Sequence, residues 1–415
     1  MYLHLPSVRR VFLFSLTVSL VSLYFSLTLN AWAAKQKAPR TLSIDSGYVP
    51  QLATYQSMNH LWLEFEGLGT AIFDGVGENF YLGKTFPTRA LWVLVEYYLW
   101  PYANYTFFVA NHEIGHGARV TATGGVPRYS WNGSTDGISI FPFIFKGFTR
   151  YGDGAFTTGT SVYFYPTDWT TVADAGGMNN STHFAEALED DVYYNTGHIL
   201  QSRAYYTAKM DAYNYAKSTN GTTTGDVNNL LNIWSARGYS ITTDDIKRGA
   251  LISLLGNFTT LAYAWSIVRY IGMGDPNVNS LSAGSLKLPD LSFFENRYGI
   301  SLRARSALHS GKIYIPFSIE YLYKGTPQLE ISLGYRNVSG AVSGHKLASQ
   351  IQGYMSSKLG VGVRGTKEFS LGRSSFFTLS GSVFHVNSLE GERTLGRLVS
   401  NTLGAEATGR YSYVF

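Results

Sequence analysis

The stretch FVANHEIGHGARV, residues 108–120, contains two histidines with the spacing of a metal site. On an α-helix, residues four apart lie one turn above each other on the same face, so His112 and His116 can direct two imidazole nitrogens at one ion. Glu113 stands beside the first histidine, where its carboxylate can accept a proton from a water molecule that the metal activates. The predicted chemistry is therefore metal-assisted hydrolysis, with Glu113 as the catalytic general base.

This chemistry requires a helix around the motif, and the flanking residues predict one. The motif lies within YANYTFFVANHEIGHGARVTATGG, where Pro101 fits the first turn of a helix and Gly124 with Gly125 fits its end. Two further helical patterns precede it within residues 61–100. The chain has no cysteine, which excludes disulfides and thiolate ligands. A metal here would need histidine and carboxylate ligands.

The motif resembles the His-Glu-x-x-His signature of zinc metallopeptidases, carried here by His112, Glu113 and His116. The letters HEIGHG are particularly similar to the HE-x-GH form of the site-2 protease group. The later Asp-Gly element of that group is not found in this chain. The resemblance implies Zn²⁺ as the cofactor and hydrolysis of a peptide bond as the reaction.

A second similarity, to the Glu-zincin metallopeptidases, suggests a third ligand. In that group the ligand lies on a later helix as Glu-x-x-x-Asp, and FAEALEDD contains Glu186 and Asp190 in this pattern. The resemblance implies that Glu186 binds zinc and that Asp190 supports a ligating histidine. Other candidates for the third ligand in the same stretch stay open, namely Glu189, Asp190, Asp191 and His183. Tyr205 or Tyr206 could stabilise an oxyanion, but with thirty tyrosines in the chain the sequence does not single one out.

The residues after the motif change their periodicity twice. Residues 126–170, with YSW, GISIFPFIFKG and GTSVYFYPTDW, predict short strands or hairpins. A helix is then expected from a cap at Ser181 or Thr182, and, after the loop STNGTTTGD, another from Thr243 to Gly272. The apolar run of this last helix is long enough to span a bilayer, and it fits a buried core helix equally well.

Both ends of the chain point to export and to a membrane. The first 33 residues predict a signal peptide cleaved after Ala33, with an uncleaved anchor as the alternative. From about residue 297, stretches such as KIYIPFSIEYLY and QLEISLGY alternate apolar and polar residues over the length that a membrane-crossing strand needs. The ending GRYSYVF, with Tyr411, Tyr413 and Phe415 on one face, resembles the C-terminal signature of bacterial outer-membrane barrels. That resemblance implies the barrel-assembly machinery as a partner, and a soluble sandwich is the alternative.

The composition agrees with this prediction. The chain has 30 Tyr, 25 Phe and 8 Trp but only 15% charged residues, as expected for many strands or a membrane interface. A mean hydropathy of −0.04 excludes an ordinary polytopic helical membrane protein. The net charge of +5 is not gathered into runs, so nucleic acid is not expected as a partner.

The sequence therefore predicts an α+β protein in which a helical metallopeptidase-like region is followed by antiparallel, transmembrane-type β-barrel strands. The predicted function is a zinc-dependent endopeptidase at the bacterial outer membrane, in contact with its lipid and acting on a peptide or membrane-protein substrate. The alternative is a non-catalytic porin, adhesin or assembly component in which the motif is structural. The expected segments are a signal peptide (1–33), a flexible lead (34–60), a mainly helical domain (61–272) with a β-hairpin insertion at about 126–170, a linker (273–296) and barrel strands (297–415).

Overall fold

The fold combines a bundle of helices with one large antiparallel sheet, as predicted at the level of a mixed helical and antiparallel β-protein. The predicted signal peptide and Phe415 lie outside the part of the chain that is described. The computed structural model describes residues 41–45, 55–79, 84–122, 124–132, 137–150, 152–160, 167–219, 225–343, 345–385, 387–394, 397–398 and 403–414.

Eleven helices can be assigned within the described residues, and nearly all of them precede the main run of strands. They are α1 (Tyr55–Asn79), α2 (Phe86–Ala122), α3 (Ile140–Gly147), α4 (Thr167–Asp174), α5 (Gly176–Tyr194), α6 (Gln201–Lys209), α7 (Asp211–Ser218), α8 (Asp226–Ala236), α9 (Thr243–Leu255), α10 (Phe258–Met273) and α11 (Leu389–Thr394).

The large sheet is formed mainly by consecutive antiparallel strands, and its order is β1-β16-β14-β13-β12-β11-β10-β9-β7-β6, with β15 beside β16 and β8 beside β9. Two small sheets pair β2 with β3 and β4 with β5. The strands are β1 (Thr41–Asp45), β2 (Val126–Trp131), β3 (Ala155–Thr160), β4 (Gly197–His198), β5 (Asn277–Val278), β6 (Ser282–Ala283), β7 (Leu286–Lys287), β8 (Asp290–Asn296), β9 (Gly299–Ser310), β10 (Ile313–Gly325), β11 (Gln328–Val342), β12 (His345–Ser356), β13 (Val361–Ser370), β14 (Ser375–His385), β15 (Arg397–Leu398) and β16 (Leu403–Val414).

The helix that carries the motif is longer than predicted. Helix α2 has 37 residues and continues through position 101, so Pro101 does not begin it. Its end agrees with the prediction, because Gly124 has a positive φ of 84° and Gly125 N–H donates to Val120 O. The two predicted helices on either side of Pro101 are thus one helix, held together by packing that outweighs the helix-breaking tendency of proline.

The segment 126–170 is only partly β-structure. Strand β2 contains YSW as predicted and pairs with β3, but GISIFPFIFKG forms helix α3 in place of a strand. Of the predicted strand GTSVYFYPTDW, residues 161–166 lie outside the described residues and residues 167–169 begin helix α4. Its buried residues Ile140, Phe143, Ile144 and Gly147 follow the i, i+3, i+4, i+7 spacing of a helix. Periodicity alone does not separate a short apolar strand from a buried helix, which explains this error.

Helix α5 begins at Gly176, five residues before the predicted Ser181 cap. The predicted helix 243–272 begins at Thr243 but is divided into α9 and α10, which meet at an angle of 54°. Asn257 separates the two helices because it is the N-cap of α10: its Oδ1 accepts hydrogen bonds from the backbone N–H groups of Thr259 and Thr260. Within the described residues no single helix has the length and apolar content to cross a membrane. Helices α9 and α10 have the necessary length and apolar content only when taken together as a bent pair.

Two segments expected to be irregular contain ordered elements. The predicted lead, 34–60, contains strand β1 and the start of α1, and the predicted linker, 273–296, contains strand β8. Both strands pair along their length, β1 with β16 and β8 with β9. The partner of β1 lies about 370 residues away in the sequence, so local composition did not reveal that strand, whereas β8 forms a hairpin with the directly following β9.

The sheet buries its polar side chains and exposes its apolar ones. On β10, Ile319 is 54% exposed whereas Glu320 is 1% exposed, and on β11, Leu333 is 65% exposed whereas Ser332 is 5% exposed. The exposed apolar residues form what we call the outer face of the sheet: Ile315, Ile319, Tyr321, Leu329, Ile331, Leu333, Tyr335, Ile351, Met355, Val361, Val363, Phe369, Leu379, Val383, Leu403, Tyr411 and Tyr413. This arrangement is the reverse of a sheet that covers the core of a water-soluble protein.

Helix α5 lies between α2 and the inner face of the sheet. On one side Asn180 Nδ2 donates to Asn111 O at 2.6 Å, and on the other side Asn179 Nδ2 donates to Glu295 O at 2.7 Å. Helices α2 and α5 approach each other so closely at Gly176 that a Cβ at this position would lie only 2.7 Å from Gly115 O. The motif helix is thereby fixed relative to the end of strand β8.

Candidate metal centre

Two histidines of α2 and one aspartate of α8 meet in a compact triangle. His112 Nε2 lies 3.1 Å from His116 Nε2, and each of these nitrogens lies 3.2 Å from Asp226 Oδ2. Within the described residues, these three side chains form the group whose ligand atoms are close enough to hold one metal ion. A tetrahedral ion with bonds of about 2.0–2.1 Å, such as zinc, separates its ligand atoms by about 3.3 Å. The triangle therefore has the size that such an ion requires.

The other ring nitrogen of each histidine already has an acceptor. His112 Nδ1 lies 2.9 Å from Asp211 Oδ2, and His116 Nδ1 lies 2.7 Å from Ala173 O. A carbonyl oxygen cannot donate, so His116 carries its proton on Nδ1, and the Asp211 carboxylate favours the same tautomer for His112. In the neutral form of both rings, the Nε2 lone pairs then point into the triangle.

The backbone around these residues is arranged to admit the two imidazoles. Gly177 of α5 lies against the His112 ring, and a Cβ at this position would overlap His112 Nε2. Asp226 is the first residue of α8 and follows Gly225, whose φ of 116° is easily reached only by glycine. Tyr215 of α7 stacks on His112 with the ring centroids 4.5 Å apart and the planes within 9°. The ring of His112 is thus held on two faces.

The site is electrostatically coupled in the absence of an ion. Burial by itself lowers the pKa of His116, but the charge of Asp226 and its hydrogen bond outweigh this effect and raise the pKa to about 9. Burial likewise opposes protonation of His112, and Asp211 together with Asp226 raises its pKa well above 6.5. The pKa of Asp226 is lowered below its usual range because the two imidazoles outweigh its burial. The carboxylate therefore favours positive charge at the centre of the triangle.

Glu113 is buried beside the triangle and is held by strand β3. Thr157 Oγ1 donates to Glu113 Oε2 at 2.7 Å and lies 2.9 Å from Glu113 O. Burial raises the pKa of Glu113, and the charges of His116 and His112 oppose that rise. A carboxylate with a raised pKa close to a metal site is suited to accept a proton at neutral pH.

The structure does not bring the predicted third ligand, Glu186, to the histidines. Glu186 instead contacts two arginines of β9: it accepts from Arg303 Nη2, and its Oε1 lies 3.3 Å from Arg305 Nε. Helix α5 turns this side chain toward the sheet, on the side away from α2. The other candidates also have separate partners: His183 contacts Glu186, Glu189 pairs with Lys209 and Arg305, Asp190 pairs with Arg305, Asp191 accepts from Asn195 and Gln201, Tyr205 Oη donates to Glu189, and Tyr206 Oη donates to Thr260 O.

Sequence reasoning missed Asp226 and Asp211. Asp226 is 110 residues from His116 (226 − 116) and ends the loop STNGTTTGD, whose composition indicated only a turn-rich segment. The signal in the sequence was the position of Asp226 at the end of a loop, directly after a glycine and before a helix. Functional side chains often lie on loops of this kind. Asp211 lies in a polar helical stretch and had no distinguishing pattern.

Comparisons with protein-family models, with curated proteins and with solved structures find no match to this chain. The geometry of the site and the pattern of the sequence therefore carry the functional argument.

Proposed function

We propose that this protein is a zinc-dependent metallohydrolase of the endopeptidase type. The observation that carries the proposal is the triangle of His112, His116 and Asp226, in which both histidines are oriented through Nδ1 and present Nε2 to a common point. Two imidazoles and one carboxylate are a ligand set that catalytic zinc uses, with a further position left for water or substrate. The mixed nitrogen and oxygen set disfavours calcium and magnesium, which prefer oxygen ligands.

The residues around the triangle have the roles that hydrolysis requires. A zinc ion bound there would supply a Lewis acid and lower the pKa of water. Glu113 accepts the proton of the attacking water and passes it to the leaving amine, and Thr157 fixes the orientation of the Glu113 carboxylate. Asp211 holds His112 in one tautomer, so the ligand geometry does not depend on solvent.

Strand β3 supports a peptide as the substrate. It pairs with β2 on one side and has no second strand partner among the residues that the structure describes. Thr157, in the middle of β3, reaches Glu113 directly, while Phe156 and Thr158 are exposed. An extended substrate can form backbone hydrogen bonds with such a free strand edge, which would lead its scissile bond past Glu113.

The outer face of the sheet supports a location in a membrane, and we propose the bacterial outer membrane as predicted from the sequence. Strands β9 to β14 and β16 contain 10 to 15 residues, enough to cross the hydrocarbon region of a bilayer when tilted. Apolar side chains on the outside and polar ones inside are the pattern of a transmembrane β-barrel. Helices α5 and α8, which contribute Gly177 and Asp226 to the metal centre, contact the sheet at the turn between β8 and β9, where Asn179 and Trp234 donate to the backbone of residues 295 and 296.

The proposal is tested by comparing the wild-type protein with Glu113→Gln. Both histidines and Asp226 are intact in this variant, so both proteins should contain about one zinc per chain by elemental analysis. We expect the wild type to cleave unfolded casein and the variant to be at least about 100-fold slower, the usual contribution of a general base. Zinc in neither protein, or equal cleavage by both, would favour the non-catalytic alternative.

A further inference from the structure

The sheet has two ends, and each end is covered by helices. Strand β1 forms one end, and strand β8 lies near the other, beside β9. A strand edge left open in hydrocarbon would expose unpaired N–H and C=O groups at a cost of several kcal/mol each. A sheet that faces lipid must therefore have its edges paired or covered.

The junction of α9 and α10 covers the β8 end. Asn257 Nδ2 donates to Leu291 O at 3.1 Å, and Thr259 donates to Asp290 through both its backbone N–H and its hydroxyl. Gly249 of α9 lies against the ring of Phe293, where no larger residue would fit. These contacts fix the helical pair along the edge of the strand.

A chain of contacts leads from this helical pair to the other end of the sheet. Arg89 of α2 donates to Ile271 O and Gly272 O at the end of α10, at 2.9 and 2.8 Å. Trp92 of α2 donates to Phe73 O of α1 at 3.2 Å. In turn, α1 contacts β1, with His60 Nδ1 3.3 Å from Asp45 Oδ2. The sequence β8, α9–α10, α2, α1, β1 thus completes a circuit around the molecule.

The outward faces of two of these helices are apolar in the same way as the outer face of the sheet. On α2, Leu91, Leu94 and Tyr98 are 56%, 56% and 75% exposed and follow the spacing of one helix face. On α10, the exposed large side chains include Leu261, Trp265, Val268 and Met273, continued on α9 by Ile252 and Leu255. The charged residues of α9, namely Asp244, Asp245, Lys247 and Arg248, all lie in its first half. The charged residue of α10, Arg269, is partly buried and pairs with Asp275.

The inside of the circuit is polar on both its helical and its sheet side. A cavity of about 530 Å³ lies between α1, α5 and the inner face of the sheet. Its lining includes His60 and Glu64 from α1, Asp190 from α5, and Arg336 and Gln350 from the sheet. Helices and strands therefore share one arrangement, with polar groups toward a common interior and apolar groups outward.

We infer that α2 and α10 complete the lipid-facing wall, so that the hydrocarbon of a bilayer covers the outward faces of these helices as well as the outer face of the sheet. This inference rests on the proposed membrane location of the sheet. It adds that the circumference is closed by helices, which cover the strand edges that the described sheet does not pair with each other. A second protein or another segment of this chain on the same helices is the competing occupant.

The chain has no cysteine, so single cysteines can be introduced without further changes. We would label Leu94→Cys and Val268→Cys with an environment-sensitive fluorophore, with Leu333→Cys as the sheet reference and Arg248→Cys as an exposed polar control on α9. The full-length proteins would be reconstituted in phosphatidylcholine vesicles with and without a nitroxide on the lipid acyl chain. We expect the probes at 94 and 268 to lose as much emission as the probe at 333, and the probe at 248 to lose little.

The outcomes separate the inference from the proposed function. Quenching at 333 without quenching at 94 and 268 would overturn the inference and leave the membrane location of the sheet intact. Blue-shifted but unquenched emission at 94 and 268 would mean that protein covers these helices, which also overturns it. Absence of quenching at 333 would remove the membrane location itself. Zinc content, measured on the same samples, reports separately on the metal centre.

Discussion

His112 Nδ1 and Asp211 Oδ2 lie 2.9 Å apart, and both side chains are almost completely buried. The two residues are 99 positions apart in the sequence (211 − 112), and their contact joins helices α2 and α7. It leaves Nε2 of His112 directed at Asp226 and His116. A buried carboxylate that orients an imidazole is the usual support of a metal-binding histidine, and Asp211 gives His112 this support.

Asp211→Asn should weaken zinc binding by about 10- to 100-fold, because a neutral amide orients and polarises His112 less well. The measurement is competition against a chelator of known affinity. Asp74→Asn is the matched control, since Asp74 Oδ1 lies 3.2 Å from His198 Nε2 in a similar pair away from the site. Equal affinities in the wild type and Asp211→Asn would contradict the assigned role.

Asp226 and Glu186 can be compared directly as the third ligand. We expect Asp226→Ala to lose bound zinc on dialysis, because the triangle loses its carboxylate. Glu186→Gln should keep zinc but destabilise the fold by about 1–3 kcal/mol, because Arg303 and Arg305 each lose one buried carboxylate partner. Arg303 keeps Glu390, and Arg305 keeps Glu189 and Asp190. Elemental analysis and denaturant unfolding distinguish the two. The reverse result, with zinc lost only in Glu186→Gln, would restore the ligand suggested by the sequence.

Gly177 provides a test of the space beneath His112. Gly177→Ala places a Cβ against the His112 ring, so we expect lower zinc affinity together with an overpacking cost of about 1–3 kcal/mol. Gly75→Ala, in helix α1, has nothing within 4 Å of the added Cβ and should stabilise the protein by up to about 1 kcal/mol. If Gly177→Ala bound zinc as tightly as the wild type, His112 would not be a ligand.

Zinc binding should strengthen as the pH rises from about 6.5 to about 9. In the metal-free protein, Asp226 raises the pKa of His116 to about 9, so the stabilisation by this pair is fully present below 6.5 and is lost as the pH passes through 9. Zinc must displace the imidazole proton over the same range. The increase in melting temperature on adding zinc should therefore be larger at pH 8.5 than at pH 6.5. A pH-independent increase would argue against imidazole ligands.

The sequence predicted the strands of the second half well, because alternation with a period of two survives in any sheet that has two different faces. It did not decide which face is buried. The exposure of Ile319 and Leu333 beside the buried Glu320 and Ser332 emerges only when neighbouring strands and helices enclose the polar face. Strand β1 was also missed, since its partner β16 lies at the other end of the chain, and β8 was missed although it forms a hairpin with the adjacent β9.

For the site, the sequence by itself determined that His112 and His116 share one helix face with Glu113 beside them, because helical spacing is a local property of the chain. Only the tertiary structure decided which acid joins them. Helix α5 turns Glu186 toward Arg303 and Arg305, whereas the start of α8 brings Asp226 to the histidines from 110 residues away. The physical reason is that a third ligand is selected by how helices pack, and packing depends on contacts that sequence distance does not encode.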